Sequence, residues 1–339
     1  MSKSPARRAT MLDVARLAGV SYQTVSRVVN NHPSVAPDTR DRVLRVIEEV
    51  RYRPSQAARA LAARRTGALA VVSYSITHYG PTQMIVNLDM QARDAGYDLM
   101  VIHINPTNPA AMSGVVDQLL RWAPEGILLV APIQSALYEG LVHQLEEIPL
   151  VQLDIAQGAA ARSVIVDQRE GSRRITQLLL EFGHQEILEI AGPQDWHGAA
   201  ARHAGATEVL SAHGLAPVAV EIGDWSAESG YRAAARALER HAFTAVLAAN
   251  DQMALGAIRA LQVAGRCVPD DISVVGFDDL PEAAYFAPPL TTIRQDFAEL
   301  ARQGLAYLIR VIDDPAVETG QRVIVPRLIQ RDSAIQRTV

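Results

Sequence analysis

Cysteine is almost absent: Cys267 is the single one among 339 residues, which excludes an intrachain disulfide framework and any zinc site built on several thiolates. No apolar run approaches the roughly 20 residues that a membrane-spanning helix needs. The N-terminal stretch MSKSPARRAT is basic but is not followed by the apolar segment of a secretory leader, so the expected location is the cytoplasm, with no membrane partner. Glycine-rich phosphate loops of either common spacing are missing, and the nine histidines form no cluster; His197 and His203 do not have a metal-ligand spacing on one helical face. Carboxylate pairs such as Asp278-Asp279 occur, but no nucleophile and base are indicated together. The sequence therefore predicts no enzyme, no metal site and no cofactor.

What is present is apolar enough to bury a sizeable core, at 49% hydrophobic residues, with a length that suits two or three domains or lobes. The net charge of −5 speaks against a nucleic-acid partner until its distribution is considered. Residues 1–65 carry Lys3 and twelve arginines against Asp13, Asp38, Asp41, Glu48 and Glu49, a net of +8; the rest carries 19 basic against 32 acidic residues, or −13. Only the front end suits phosphates, and binding there should weaken steeply with salt as neutralised phosphates release counterions.

That front end contains LDVARLAGVSYQTVSRVVN, Leu12 to Asn30, which predicts two short helices joined by a tight turn at Gly19. Asp13 stands at the expected helix start, Val14, Ala15, Leu17 and Ala18 supply an apolar face, and Gly19 can adopt the left-handed conformation that ends the helix. Ser21 is placed to cap a second helix whose Val25, Val28 and Val29 turn inward, leaving Tyr22, Gln23, Ser26 and Arg27 on the outside. Glutamine and arginine can bond adenine and guanine in bidentate fashion, and hydroxyls suit phosphates or base edges. A helical hairpin with a plain solvated face is the alternative; the agreement of turn, cap, outer residues and basic surround favours a helix-turn-helix. Pro37 then opens a third helix to about Val50, whose Val43, Leu44, Val46, Ile47 and Val50 can close a small core over Val14, Leu17 and Val25. After Tyr52-Arg53-Pro54, the Ala-rich Ser55–Ala63 has high helix propensity but is too short to be stable alone in water.

The stretch VSYQTVSRVVN, with what surrounds it, resembles the headpiece of the LacI/GalR family of bacterial repressors, and the resemblance runs from about Thr10 to Asp332. It implies a headpiece over 1–54, a hinge helix or linker over 55–65, and a ligand-binding and dimerisation core over 66–339. By it, Ser55–Ala63 is a hinge helix that folds when two copies meet in the DNA minor groove, with Leu61 as the wedge that kinks the duplex; a plain linker is the alternative. Tyr22, Gln23 and Arg27 are expected to read bases, and Thr10, Ser21, Thr24, Ser26, Asn30 and Thr39 to position the headpiece on phosphates.

From Gly67 onward, short apolar runs alternate with amphipathic segments. ALAVVSY, YDLMVIHI, GILLVAP, Pro149–Leu153, Ser163–Val166, Glu186–Ala191, Ala216–Ile222, Thr244–Ala248 and Ile272–Phe277 read as strands. Helices are expected near Gln83–Ala95, Ala110–Trp122, Glu170–Phe182, Ala199–His213, Ala227–Arg240 and Gln252–Ala264, with more after Asp296 and a last strand over Gln321–Ile329. The fold class is α/β: doubly wound parallel sheets with helices on both faces, in two lobes similar to the periplasmic sugar-binding fold of the family. The first lobe is placed at about 66–165 and 294–323, the second at about 166–293 and 324–339. Ligands of such sheets bind outside the carboxyl ends of the strands, so residues that follow strands should face the cleft.

Asp154, Arg202, Trp225, Asn250, Asp278 and Gln295 are the candidates there: carboxylates, amides and a guanidinium match vicinal hydroxyls, and an indole covers the apolar face of a sugar ring. Singly each is as readily a helix cap or a core side chain; jointly they match the family's pocket. Trp196 and His197 depart from a serine-rich loop in the matching pattern, Val130-Ala131 replaces a polar pair, and Tyr74, His78 and Tyr79 lie in a differently composed loop.

The resemblance implies a sequence-specific repressor that binds a pseudo-palindromic double-stranded operator as a homodimer and is released by a small sugar, with a β-galactoside first and a β-glucoside next. Inducer would favour the lobe arrangement in which paired hinge helices separate. A regulator that needs a purine or sugar phosphate as corepressor remains open, as sequence does not set the sign of the ligand effect. A sugar-transport component and a sugar-processing enzyme are less consistent with the headpiece. The pattern's tetramer-forming leucine heptads do not appear before Val339, so a dimer is expected.

Overall fold

The computed structural model describes residues 9–29, 32–52, 65–74, 77–104, 109–130, 132, 140, 142–145 and 147–337. Asn30, Leu61 and the Ser55–Ala63 segment lie outside the described residues. The chain divides into two compact units, Met1–Gly67 and Ala68–Val339.

In the first unit, α1 (Met11–Ala18), α2 (Tyr22–Val29) and α3 (Pro37–Glu49) enclose Val14, Ala15, Ala18, Val25, Val28 and Val43, with Tyr52 closing the bottom. The start of α1 is set by Thr10 rather than by Asp13. The Thr10 hydroxyl accepts the Asp13 N–H at 3.3 Å, and the Asp13 carboxylate accepts the Thr10 N–H at 2.9 Å, a reciprocal capping box. Gly19 ends the helix at φ +64°, and its N–H bonds the carbonyls of Ala15 and Arg16. Leu17 and Leu44, expected in this core, are instead 56% and 47% exposed. Their helices bury a narrow stripe, and Leu17, next to the buried Ala18, and Leu44, next to the buried Val43, fall off it and turn outward.

The second unit holds two parallel sheets. One has six strands in the order β11 (Gln321–Ile324), β5 (Ser163–Val166), β4 (Leu150–Leu153), β3 (Gly126–Val130), β1 (Ala68–Ser73), β2 (Asp98–His103). The other has four, in the order β7 (Ala219–Ile222), β6 (Ile187–Ala191), β8 (Ala245–Ala248), β9 (Ser273–Val275). Their central strands β3 and β8 are apolar throughout, as strands covered on both faces tend to be, while β6 carries one buried carboxylate, Glu189, which His203 meets at 2.9 Å. α4 (Tyr79–Asp94) and α10 (Phe297–Asp313) pack Met84, Leu88, Leu300 and Leu308 onto the first sheet. α6 (Gln168–Glu181) and α7 (His197–Ala212) bury Ile175, Leu179, Ala206 and Leu210 against Ile187, Leu247 and Phe277. α8 (Ala227–Leu238) and α9 (Asp251–Val263) join the largest apolar cluster, on the second sheet's other face. α5 (Pro109–Trp122) contributes Val115 and Leu119 to it from the first lobe.

The expected last strand, Gln321–Ile329, is two strands in different sheets. β11 extends the six-stranded sheet beside β5, whereas β12 (Arg327–Ile329) pairs antiparallel with β10 (Thr292–Arg294) in the second lobe. Val325-Pro326 separates them, and proline has no N–H for a ladder. The chain passes between lobes at this point, between β5 and α6, and between β10 and α10. Several helices start earlier than their apolar periodicity indicates: α4 at Tyr79, α6 at Gln168 and α7 at His197. First-turn residues face the cleft and follow its chemistry, not the core's. Among the described residues no helix is long and apolar enough to cross a membrane.

Candidate functional site

The surface of α2 carries the headpiece chemistry. Ser21 caps the helix, its hydroxyl accepting the Thr24 N–H at 3.1 Å and lying 2.9 Å from the Thr24 hydroxyl. Tyr22, Gln23 and Arg27 are exposed, while Thr24, Ser26 and Thr39 are half-buried. Thr10 is committed to the capping box, its hydroxyl 2.7 Å from Asp13 Oδ2, so its role in the fold is to start α1. Gln23 and Arg27, four residues apart, share one face of a helix whose other face is buried at Val25 and Val28.

In the second unit one cavity between the lobes is lined by all six sequence-predicted ligand residues, Asp154, Arg202, Trp225, Asn250, Asp278 and Gln295. Arg202 is the hub. Its Nε donates to Gln168 Oε1 at 2.9 Å, one terminal nitrogen donates to the Ala249 carbonyl, and the other stands 3.5 Å from Asp278 Oδ1. The guanidinium lies 3.8 Å over the Phe277 ring and 5.5 Å from the Trp225 ring, contacts that suit a buried cation. Gln168 in turn donates to Gln295 Oε1 at 2.7 Å, and Gln295 donates to Asp278 Oδ1 at 2.6 Å. The four side chains close a ring.

Several of these residues stand where strands end. Asp154 follows β4, Trp225 lies just beyond β7, and Asp278-Asp279 lie beyond β9; their φ angles of +57°, +74°, +112° and +55° are in the left-handed region. Non-glycine residues hold that region only where surroundings over-determine them, and they concentrate at binding sites. Asp279 is fixed by Arg294 at 2.5 Å and Arg331 at 2.7 Å. Asp251 accepts the Leu280 N–H at 2.8 Å and the Thr292 hydroxyl at 2.6 Å. Asn250 caps α9 through Met253 N at 2.9 Å, and its amide donates to the Trp225 carbonyl at 3.0 Å, so the cap and the indole are tied together.

Burial pushes the Asp278 carboxyl up to about 6, with Arg202 and the Gln295 N–H holding it down and Asp154 raising it. Burial likewise raises Asp154 and, well above the ordinary carboxylate range, Asp251, and it lowers Arg202. The Tyr79 phenol is pushed up to about 12 by burial and then by Asp278 and Asp251, while burial lowers His78 and His197. The site thus sets amide and carboxyl groups around one buried arginine, which faces Asp278 with Asp154 nearby. The Trp225 Nε1–H is buried and has no hydrogen-bond partner. Among the described residues no group of three or more His, Cys, Asp or Glu is placed to hold a metal ion.

Residues 10–55 match the family of bacterial regulatory proteins, lacI family, and residues 176–334 match the periplasmic binding protein-like domain. The chain is 34% identical to the lactose operon repressor of Escherichia coli K12 over 327 residues, covering 96% of this chain and 91% of that protein. The chain belongs to the LacI family. As such it is a DNA-binding transcriptional repressor rather than an enzyme. It is also 32% identical to the repressor PurR of Haemophilus influenzae, covering 96% of this chain and 98% of that one. A crystal structure of the lac repressor dimer bound to operator and the anti-inducer ONPF superposes with a TM-score of 0.90, at 34% identity over 97% of this chain and 100% of that chain. The regulator CelR in complex with cellobiose gives 0.73 at 30% identity, covering 96% and 100%.

Within this LacI-family pocket the structure adds residues the sequence left out, Gln168, Gln252 and Phe297, and brings in Tyr79, noted before only in a departing loop. Gln168 gave no signal, being one glutamine just ahead of the expected start of its helix at Glu170. Trp196 and His78, flagged only as departures, stand edge-on 4.9 Å apart, and Trp196 also meets Tyr74 at 5.6 Å and Trp225 at 5.5 Å. The His197 N–H donates to the Pro132 carbonyl at 2.7 Å, a backbone link between the lobes.

Proposed function

We propose that this repressor binds a lac-like pseudo-palindromic operator as a dimer and is released when a small neutral sugar, a β-galactoside, occupies the interlobe cavity. The observation that carries the ligand reading is the ring of Arg202, Gln168, Gln295 and Asp278 beside the unpartnered Trp225 indole N–H. Sugars present adjacent hydroxyls that both donate and accept, and an indole face covers their C–H surface. Among the described residues lining the cavity, Arg202 is the only arginine or lysine, and it already faces Asp278 with Asp154 close by. A phosphate-bearing ligand would meet uncompensated carboxylates, which argues against a sugar-phosphate corepressor.

Tyr22, Gln23 and Arg27 would read bases in the major groove, with Ser21, Thr24, Ser26 and Thr39 near phosphates. Asn30 and Leu61 retain the roles the family resemblance implies. Dimer formation is supported by apolar side chains left uncovered on the second unit: Val86 and Met90, four apart on α4, Val101 on the edge strand β2, and Tyr285, 88% exposed. Release follows because a ligand that prefers one lobe arrangement shifts the population toward it, and operator must reciprocally weaken that ligand.

A β-glucoside is the second reading, favoured by the aromatic wall of Trp196 and by the 30% identity to a cellobiose-bound regulator. Measuring operator release across galactosides, glucosides and purines, with purified full-length protein, decides among them. Release by purines alone, or tighter operator binding on adding them, would overturn the sugar-inducer reading.

A further inference from the structure

Arginine has donors and no acceptor, and its donors stay charged. That one-way character propagates through the ring in the pocket. Because Arg202 Nε points at Gln168 at 2.9 Å, the Gln168 amide must present its oxygen there, which leaves its nitrogen facing Gln295 at 2.7 Å. Gln295 must then accept with its oxygen, and its nitrogen faces Asp278 Oδ1 at 2.6 Å. Both amides are buried, Gln168 at 8% exposure and Gln295 at 7%, so water offers little escape from this ordering. Gln168 opens α6 and Gln295 precedes α10, so the ordered pair also ties together two of the chain's passages between lobes.

We infer that Gln168 is a positioning residue: it relays the donor character of Arg202 through two amides, so that Gln295 presents an N–H, and never its carbonyl oxygen, to Asp278. The inference rests on the cavity being the sugar site only for its effect on affinity; the relay itself is a property of the empty protein. Asp278 is faced by Arg202 from α7, Asp154 after β4, Asp251 at the head of α9 and Tyr79 at the start of α4, while its neighbour Asp279 is turned to Arg294 and Arg331. Beside that set Gln295 is the amide that donates to Asp278, and the relay decides which of its ends is used.

Gln168→Glu tests this with little change of volume. A carboxylate at 168 still accepts from Arg202, but it places an acceptor opposite Gln295 Oε1. Gln295 then turns over, its oxygen meets Asp278 Oδ1, and a proton on Asp278 relieves the conflict. In full-length protein labelled with carboxyl-13C aspartate and assigned with Asp278→Asn, the Asp278 midpoint is expected to rise by about one pH unit or more, equivalent to about tenfold in ionisation. The new charge at 168 also raises it by plain repulsion, so the same substitution is made in a Gln295→Met background, where no amide is left to turn. There the rise is expected to be less than half as large. Gln295→Met alone should also raise the midpoint, having removed the last donor of the relay. An equal rise in both backgrounds, or no rise for Gln295→Met, overturns the inference. Sugar affinity at pH 6 is read in parallel, with about a tenfold loss expected for Gln168→Glu. If galactosides and glucosides fail to bind while the carboxyl titrations behave as stated, the sugar reading fails and the relay stands.

Discussion

Gly192 lies directly after β6, and a methyl group there would stand 2.3, 2.6 and 2.7 Å from three atoms of the Trp225 six-membered ring. Those distances are roughly 1 Å short of ordinary carbon–carbon contact. The indole has nowhere to go: Trp196 meets it edge-on at 5.5 Å, Arg202 stands 5.5 Å from its ring, and its backbone is held at φ +74° with the carbonyl tied to Asn250. Gly192 itself is not in the left-handed region, so alanine meets steric conflict alone. Overpacking of this kind costs about 1–3 kcal/mol. Gly192→Ala is therefore expected to lower thermal stability of the second unit and, by displacing the platform, to weaken sugar binding by about tenfold or more, since each 1.4 kcal/mol is tenfold. Calorimetric titration with the effector and a thermal melt measure the two effects, and sugar-free operator binding should stay within about twofold. The clash is with ring atoms that phenylalanine lacks. Trp225→Phe should therefore recover much of the stability lost to Gly192→Ala, a coupling of about 1 kcal/mol or more in a double-mutant cycle. A Gly192→Ala protein with unchanged melting and unchanged sugar affinity would refute the placement of Trp225 against this turn.

Arg27→Ala should cost roughly 1–3 kcal/mol on the specific operator and relax preference at one base pair; an equal loss on random duplex would remove Arg27 from base recognition. Thr10→Ala breaks the capping box and should destabilise α1 by about 1 kcal/mol, seen as roughly fivefold faster amide exchange in that helix of the full-length protein; unchanged exchange would show the cap to be idle. If the sugar uses the ionised Asp278, whose carboxyl is held up at about 6, affinity should be near its maximum at pH 7 and about tenfold weaker at pH 5. The sign for the empty protein is opposite: a carboxyl raised by folding disfavours its charged form, so this group's contribution to stability is greatest when protonated and declines as pH rises from about 4 through 6. Asp154 and Asp251, also raised by burial, act in the same direction. Asp278→Asn should flatten the binding profile and lessen the slope of the stability profile, leaving the part due to Asp154 and Asp251, and a binding profile with no inflection near 6 would exclude this carboxylate.

Much of the architecture was legible because it rests on local rules. Apolar runs bounded by turn residues marked the strands, and Gly19, Ser21 and the valine spacing marked the two headpiece helices. The chemistry of the cavity was legible as residue types following strands, since open parallel sheets leave their carboxyl ends to ligands. The misreadings have a common cause. Leu17, Leu44 and the division of Gln321–Ile329 depend on which neighbour each segment meets, and periodicity does not name neighbours. Gln168 carries no local mark at all; its importance comes from Arg202, 34 residues away in the chain, and Gln295, 127 residues away.

The sequence by itself determined a basic front end built as a helix-turn-helix and an acidic α/β body with polar residues at its strand ends, because charge, capping and hydrophobic period are properties of neighbours along the chain. Only the tertiary structure decided that a ring of four side chains would close, which way its amides point, and that an indole N–H would be left in it without a partner. Hydrogen-bond direction and burial are settled by groups from distant segments meeting in one place, and that meeting is what a folded chain adds to its sequence.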